Sequence, residues 1–325
     1  MNHSSVFSKC RSALLTSLCL LSLIPVCEAV QAQETQVGEQ PRQGGFRNRL
    51  RERLQAHRQG DKTTRAPSHA DLAYGSDPLQ RMDVYLPEKK IDNAPILVMV
   101  HGGGWRRGDK RLGAALQNKL PYYSSKGFAL ISLNYRLVPQ VTPVDQAHDI
   151  AKALGFIQGN AEKWGADKTK VVLMGHSAGA HLVTLVTADA RQNFAKNNLP
   201  WLGTISLDGA AVDVERSMRE DGSRPLLGNI YNTAFGSDPA LWKAASPMAQ
   251  LRSGAAPMLI VCSTTRPDKP CKQTDDFVAK AKQMGVRAST LPVAMSHGEI
   301  NADVGLDNNL TRAIDQFMVS LGLKL

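Results

Sequence analysis

The chain has 325 residues, 21% of them charged and 42% hydrophobic, with 26 Gly and 17 Pro. That balance excludes a disordered chain, a coiled coil, a collagen and a small disulfide scaffold, and the length suits one α/β unit of roughly 250 residues behind a leader. A formal net charge of +10 favours solubility and attraction to acidic surfaces but specifies no chemistry.

Lys9 and Arg11 precede an uncharged, Leu-rich stretch from Ser12 to Cys27, shorter than the roughly 20 apolar residues of a bilayer span. Residues 1–32 read as a secretory signal peptide cut after Ala32, since Val30 and Ala32 occupy the small-residue positions of such a site. Lipidation at Cys27 is a weaker alternative, because Val26 is bulkier than the residue expected before a lipidated cysteine. The expected product is exported, periplasmic or extracellular, with no stable membrane span. Residues 33–68 carry Arg42, Arg47, Arg49, Arg51, Arg53 and Arg58 among few large apolar residues. Such a segment buries too little surface to offset its ordering entropy and reads as a basic, mobile leader. It is a solvated tether or an arm held against an anionic surface. No aromatic stacking platform accompanies the arginines, so no nucleic-acid partner is expected.

From residue 69 to 325, β-rich runs alternate with helix-period segments, the pattern of a parallel sheet covered by helices. Strands are expected over 81–86, 95–100, 129–133, 171–174, 203–207, 257–262 and 287–291. The run 95–100 is continuously apolar, as in a strand buried on both faces. Val144, Ala147, Ala151 and Leu154 recur at helical spacing, and further helices are expected over 274–284 and 309–321. Residues 213–250 hold Gly222, Pro225, Gly228, Gly236 and Pro239 without a clean strand, and read as a cap-like insertion over one end of the sheet.

The strand ending at Met174 runs into Gly175-His176-Ser177-Ala178-Gly179, followed by an apolar helix. A strand, a G-x-S-x-G turn and a helix make a nucleophile elbow, in which two residues without a Cβ let the chain turn sharply and present the Ser177 hydroxyl. A tight glycine turn without chemistry is the alternative. His101-Gly102-Gly103-Gly104-Trp105 directly follows the apolar strand, where glycines let backbone N–H groups approach a substrate oxygen. Gly103 and Gly104, with the N–H of Ala178, are the expected oxyanion donors. A phosphate loop is the competing reading, but no G-x-G-x-x-G or Walker pattern is present.

A serine hydroxyl needs a base within hydrogen-bond reach. Beyond Ser177 only His181 and His297 remain, and His181 lies one turn into the helix, so His297 is the expected base. The acid is expected after the penultimate strand: Asp268 first, with Asp275 and Asp276 behind it. Those two also suit a helix N-terminus. Asp208 follows an earlier strand and reads as structural, and Glu299 is an outside candidate. Cys262 and Cys271 flank the acid, and in an oxidising compartment a disulfide between them would close a loop of about ten residues. No metal is expected, since neither H-E-x-x-H nor paired C-x-x-C occurs.

Leu79 to Pro87, His101 to Trp105, Asn134-Tyr135-Arg136-Leu137, Gly175 to His181 and Ala245-Ser246-Pro247 together resemble α/β-hydrolase-fold esterases of the carboxylesterase and acetyl-xylan or feruloyl esterase type. Gly-His-Ser-Ala-Gly-Ala-His is also similar to kynurenine formamidases. The resemblance implies an eight-stranded, mostly parallel sheet, a Ser-Asp-His triad and no cofactor. It implies a carboxylic ester substrate, a small molecule or an acetyl or feruloyl group on a polysaccharide. The alternatives are an arylformamidase, whose usual intracellular setting sits badly with a signal peptide, and a non-catalytic binding module, which typically loses the serine or histidine. A serine peptidase lacks an encoded specificity domain. The chain departs from its relatives at Ser263-Thr264-Thr265-Arg266-Pro267-Asp268, where a Gly-rich turn usually leads to the acid. Arg106 and Arg107, just past the oxyanion loop, are a solvated pair or a contact for a substrate carboxylate.

Overall fold

The computed structural model describes residues 65–89, 91–189, 194–209, 211–225 and 227–325. The expected signal peptide, and the expected leader up to residue 64, lie outside the described residues. Arg65 and Ser68, assigned to that leader by composition, are fastened to the fold: Arg65 donates to the Ser124 hydroxyl at 2.6 Å and to the Leu86 carbonyl at 2.5 Å, and Ser68 Oγ accepts from the Leu86 N–H.

Among the described residues, eight strands form one sheet. They are β1 (His69–Ala73), β2 (Arg81–Tyr85), β3 (Ala94–Val100), β4 (Ala129–Leu133), β5 (Ala166–His176), β6 (Gly203–Leu207), β7 (Met258–Ser263) and β8 (Ala288–Val293). Their order is β1-β2-β4-β3-β5-β6-β7-β8, antiparallel at β1/β2 and β2/β4 and parallel elsewhere. Seven strands lie where apolar runs predict them. The eighth, β1, carries no such signal because its residues are mostly exposed at the sheet edge, with a bulge and Asp71 at φ 53°.

Helices cover both faces, which is why β3 is continuously apolar. Ile96, Val98 and Val100 alternate toward one layer, packed with Ile150, Leu154, Leu182 and Val186 of α3 (Pro143–Asn160) and α4 (Ala178–Ala188). Leu97 and Met99 face the other, with Leu120 and Tyr123 of α2 (Lys119–Ser125) and Ile314 and Met318 of α11 (Asn309–Ser320). Each such fully buried side chain contributes about 1.5–3 kcal/mol of burial, so the double-sided packing fixes the strand ends on which the site is built. Thr142 starts α3 with a capping box, its hydroxyl accepting from the Asp145 N–H while the Asp145 carboxylate accepts from the Thr142 N–H. The short α1 (Gly113–Leu116) follows β3.

Residues 213–250 form α5 (Val214–Glu220), α6 (Leu227–Phe235), α7 (Pro239–Ala245) and α8 (Pro247–Gln250). Tyr231 and Phe235 of α6 pack on the Trp105 ring, with centroids 6.2 and 4.8 Å away, so this segment covers the C-terminal end of β3. The chain then runs through β7, α9 (Pro270–Gln283), β8 and α10 (His297–Ala302) to α11. This arrangement is the α/β-hydrolase fold.

Candidate active site

Ser177 lies between β5 and α4 at φ 56°, ψ −120°, a conformation side chains rarely adopt. Two glycines permit it. A Cβ on Gly175 would stand 2.3 Å from the Gly179 carbonyl oxygen, and one on Gly179 would stand 2.3 Å from that of Val100. The Ser177 N–H donates to the Leu207 carbonyl at the end of β6, fixing the turn against the neighbouring strand. Ala178 opens α4, where first-turn N–H groups have no acceptor within the helix.

The loop after β3 packs directly on this elbow: a Cβ on Gly102 would stand 2.9 Å from Ser177 Cβ. Gly103 and Gly104 have φ of 128° and 60°, and Trp105 follows at 62°. The loop stays in this form because Gln146 and residues from the motifs that carry the family resemblance hold it. The Tyr135 hydroxyl donates to the His101 carbonyl at 2.9 Å and its ring stacks on the His101 imidazole. Gln146 Nε2 donates to the Trp105 carbonyl at 2.7 Å. Asn134 accepts the Lys110 N–H at 2.5 Å, and buried Asp83 holds Lys110 and Arg111 at 3.0 and 2.7 Å.

His181 is structural, as its position one turn into the helix suggests. Its Nδ1 accepts from the Trp105 indole at 3.2 Å and its Nε2 donates to the Ala245 carbonyl at 2.8 Å, the pattern of a neutral imidazole. Burial pushes its pKa down to about 4.

His297 opens α10, whose N-cap Ser296 forms a capping box with Glu299. Glu299 is thereby committed to the helix end. The His297 carbonyl accepts from His176 Nε2 at 2.9 Å and the two rings lie 4.5 Å apart, so the imidazole stands beside the residue preceding Ser177. Burial, and then the neighbouring His297, push the His176 imidazole down to about 3, leaving it a neutral donor.

The carboxylate against His297 is Asp208, with Nδ1 and Oδ2 2.6 Å apart. Asp208 directly follows β6, is fully buried and has φ 47°. Its other oxygen accepts the Ser263 N–H at 2.8 Å. Burial works against the charged form, but the His297 hydrogen bond, the Arg266 guanidinium and the Ser263 N–H outweigh it and hold this carboxyl below the ordinary range.

This corrects the expectation for Asp268. That carboxylate is engaged by Arg266, with Nε to Oδ1 at 3.0 Å and Nη2 to Oδ2 at 2.5 Å. Asp276 pairs with Arg216 at 2.8 Å, and Asp275 is exposed on α9. Two features could have pointed to Asp208. It stands immediately after its strand, as His101 and Ser177 do after theirs, and Arg266 is close enough in sequence to claim Asp268. Cys262 and Cys271 are bonded, closing the loop that carries Arg266 and Asp268. Among the described residues, no group of three or more His, Cys, Asp or Glu side chains is arranged to hold a metal ion, and no helix is long and apolar enough to cross a membrane.

The fold and the elbow together define an α/β-hydrolase. Within that class, the chain belongs to the BD-FAE family, whose model matches residues 82–281. It is similar to Esterase LipC of Mycobacterium tuberculosis, 27% identical over 224 residues covering 65% of this chain and 54% of that protein. It is also similar to isoprenylcysteine alpha-carbonyl methylesterase ICME of Arabidopsis thaliana, 25% identical over 261 residues, 75% of this chain and 59% of that protein. The chain thus spans a little over half the length of these relatives. Among solved structures, a truncated carbohydrate esterase from gut microbiota superposes with a TM-score of 0.68 at 18% identity, covering 81% of this chain and 100% of that one. Esterase B from Lactobacillus rhamnosis gives 0.66 at 20% identity, over 85% and 93%. At these identities the structural likeness is one of fold.

Proposed function

We propose that the protein is a serine carboxylic ester hydrolase with Ser177 as nucleophile, His297 as base and Asp208 as the acid that orients it. The observation that carries this reading is the 2.6 Å contact between His297 and Asp208 on a helix whose first carbonyl is tied to His176, next to the strained serine. Ser177 Oγ attacks the ester carbonyl carbon while the free imidazole nitrogen of His297 takes the hydroxyl proton. The N–H groups of Ala178, Gly103 and Gly104 receive the oxyanion, a contribution that one donor alone makes worth about 10²–10³ in kcat. The C–O bond to the alcohol breaks and His297 protonates the leaving oxygen. Water then attacks the acyl-enzyme with His297 as base again, releasing the acid and restoring the Ser177 hydroxyl.

The substrate we favour is an acetyl or feruloyl ester on a polysaccharide outside the cytoplasm. Support comes from the shared fold with a carbohydrate esterase, from the Leu-rich N-terminal stretch, and from the Cys262–Cys271 bond, which suits an oxidising compartment. The test is hydrolysis of p-nitrophenyl acetate and butyrate, feruloyl esters, acetylated xylan and N-formylkynurenine by the wild type and Ser177→Ala. Ester cleavage lost in Ser177→Ala is expected. Cleavage that survives the substitution rejects the mechanism, and preference for the formamide makes the protein an arylformamidase instead.

A further inference from the structure

Arg266 stands where a hydrolase triad has no need of a cation. It is largely buried, with 14% of its side chain exposed, and its Nη1 lies 2.8 Å from Asp208 Oδ2, the same oxygen that accepts His297 Nδ1. That nitrogen is also 3.4 Å from His297 Nδ1 itself. The other edge of the guanidinium forks onto Asp268, so one cation joins two carboxylates from adjacent strand ends. The remaining charged and titratable neighbours are committed elsewhere. Asp221, which with Tyr231 faces the pair from the cap, is bonded to Arg224 at 3.0 Å. His176 at the end of β5 is a neutral donor, Glu299 caps its own helix, and Lys119 of α2 binds the Asn301 carbonyl at the far end of α10.

We propose that Arg266 is a positioning residue for the proposed ester hydrolysis: it fixes Asp208 under His297 and, by sharing the acceptor oxygen, weakens the hold of Asp208 on the imidazole proton, with Asp268 as its counterweight. A carboxylate facing an imidazole favours the imidazolium, and a guanidinium on the same oxygen opposes that preference. Removing the guanidinium therefore strengthens the proton's hold on His297. Removing the charge of Asp268 leaves Arg266 uncompensated, pulls harder on Asp208 and weakens that hold. The two substitutions act in opposite directions, which a purely structural role does not produce.

The test is the acid limb of the kcat/KM profile for p-nitrophenyl acetate, followed by pH-stat in wild type, Arg266→Gln, Arg266→Lys and Asp268→Asn. The His297 imidazole titration, read by NMR in the same four proteins, gives a second measure that needs no turnover. Arg266→Gln moves the limb and the NMR midpoint up by roughly one pH unit. Asp268→Asn moves both down by a smaller amount. Arg266→Lys stays near the wild type in pH while losing kcat, because the charge remains and the fork does not. Limbs and midpoints that coincide in all four proteins overturn the inference, as does an Asp268→Asn as inactive as Ser177→Ala. If Arg266→Gln does not fold, the downward shift in Asp268→Asn decides. The inference rests on the triad proposed above. A wild type that cleaves no ester while the NMR midpoints split as described rejects that function and leaves standing only the coupling of Arg266 and Asp268 to the His297 imidazole.

Discussion

The elbow and the acid corner hold their proposed catalytic groups by opposite means. Around Ser177, the missing side chains of Gly102, Gly175 and Gly179 let backbone segments approach within distances a Cβ would occupy. Around Asp208, side chains do the work: an imidazole, a guanidinium and a backbone N–H converge on one buried carboxylate. The glycines that answer the first kind of constraint stand in two short runs, 102–104 and 175–179. Charge constraints of the second kind exist only once β6, β7 and α10 have been brought together. The first region should therefore fail sharply and by unfolding, and the second gradually and through chemistry.

The largest effect expected is at the elbow. Gly179→Val puts a side chain against the carbonyl oxygens of Val100 and His101, at 2.3 and 2.5 Å from the Cβ, and both belong to backbone that cannot yield. Loss of soluble folded protein is expected. Gly236→Ala, at positive φ but facing open space, should cost only about 1 kcal/mol in denaturant unfolding. Equal effects of the two would break the steric account.

Next comes acid sensitivity beneath the glycine loop after β3. His181 is held neutral with a pKa of about 4, against about 6.5 when unfolded. Between those values the unfolded chain binds the extra proton, so the stability that depends on neutral His181 is fully present above about pH 6.5 and is lost as pH falls toward 4. The loss is on the order of 3 kcal/mol at pH 4. Urea midpoints measured from pH 7 to 4 should fall more steeply for wild type than for His181→Gln, and parallel slopes would remove His181 from this role.

The acid corner has a smaller structural prediction of its own. The Cys262–Cys271 bond closes the loop bearing Arg266 and Asp268, and its loss should cost roughly 2 to 3 kcal/mol in the chain-entropy model. Cys271→Ala or mild reduction should lower the urea midpoint and slow ester hydrolysis together. An unchanged rate at reduced stability would show that the loop's position does not matter to Asp208.

The same contrast explains what could be read from sequence. Seven strands, the elbow, the Gly103–Gly104 loop and the placement of His297 after β8 are written in apolar runs and glycines. Asp83 and Asn134-Tyr135 lie in motifs that looked like family markers, and Gln146 gave no such signal; the role of all of them as props of the glycine loop after β3 emerged only from tertiary contacts. β1 escaped because an exposed edge strand needs no apolar pattern. Asp208 escaped because β6 and β7 are neighbours in the sheet, with ends about 4.8 Å apart, so chain order alone cannot say which strand's acid reaches the imidazole. The fold decides it by setting Asp208 against His297 Nδ1, while the carboxylate of Asp268 is forked by Arg266.

The central claim is that the carboxylate after β6 serves His297. It is tested most directly by kcat/KM for p-nitrophenyl acetate in Asp208→Asn and Asp268→Asn side by side, at a pH on the plateau of each profile. The expected result is a fall of about 10³–10⁴ for Asp208→Asn, the scale of losing the group that fixes the imidazole tautomer, with Asp268→Asn remaining within about tenfold of wild type. The reverse order would place the acid on the loop after β7 and contradict the account.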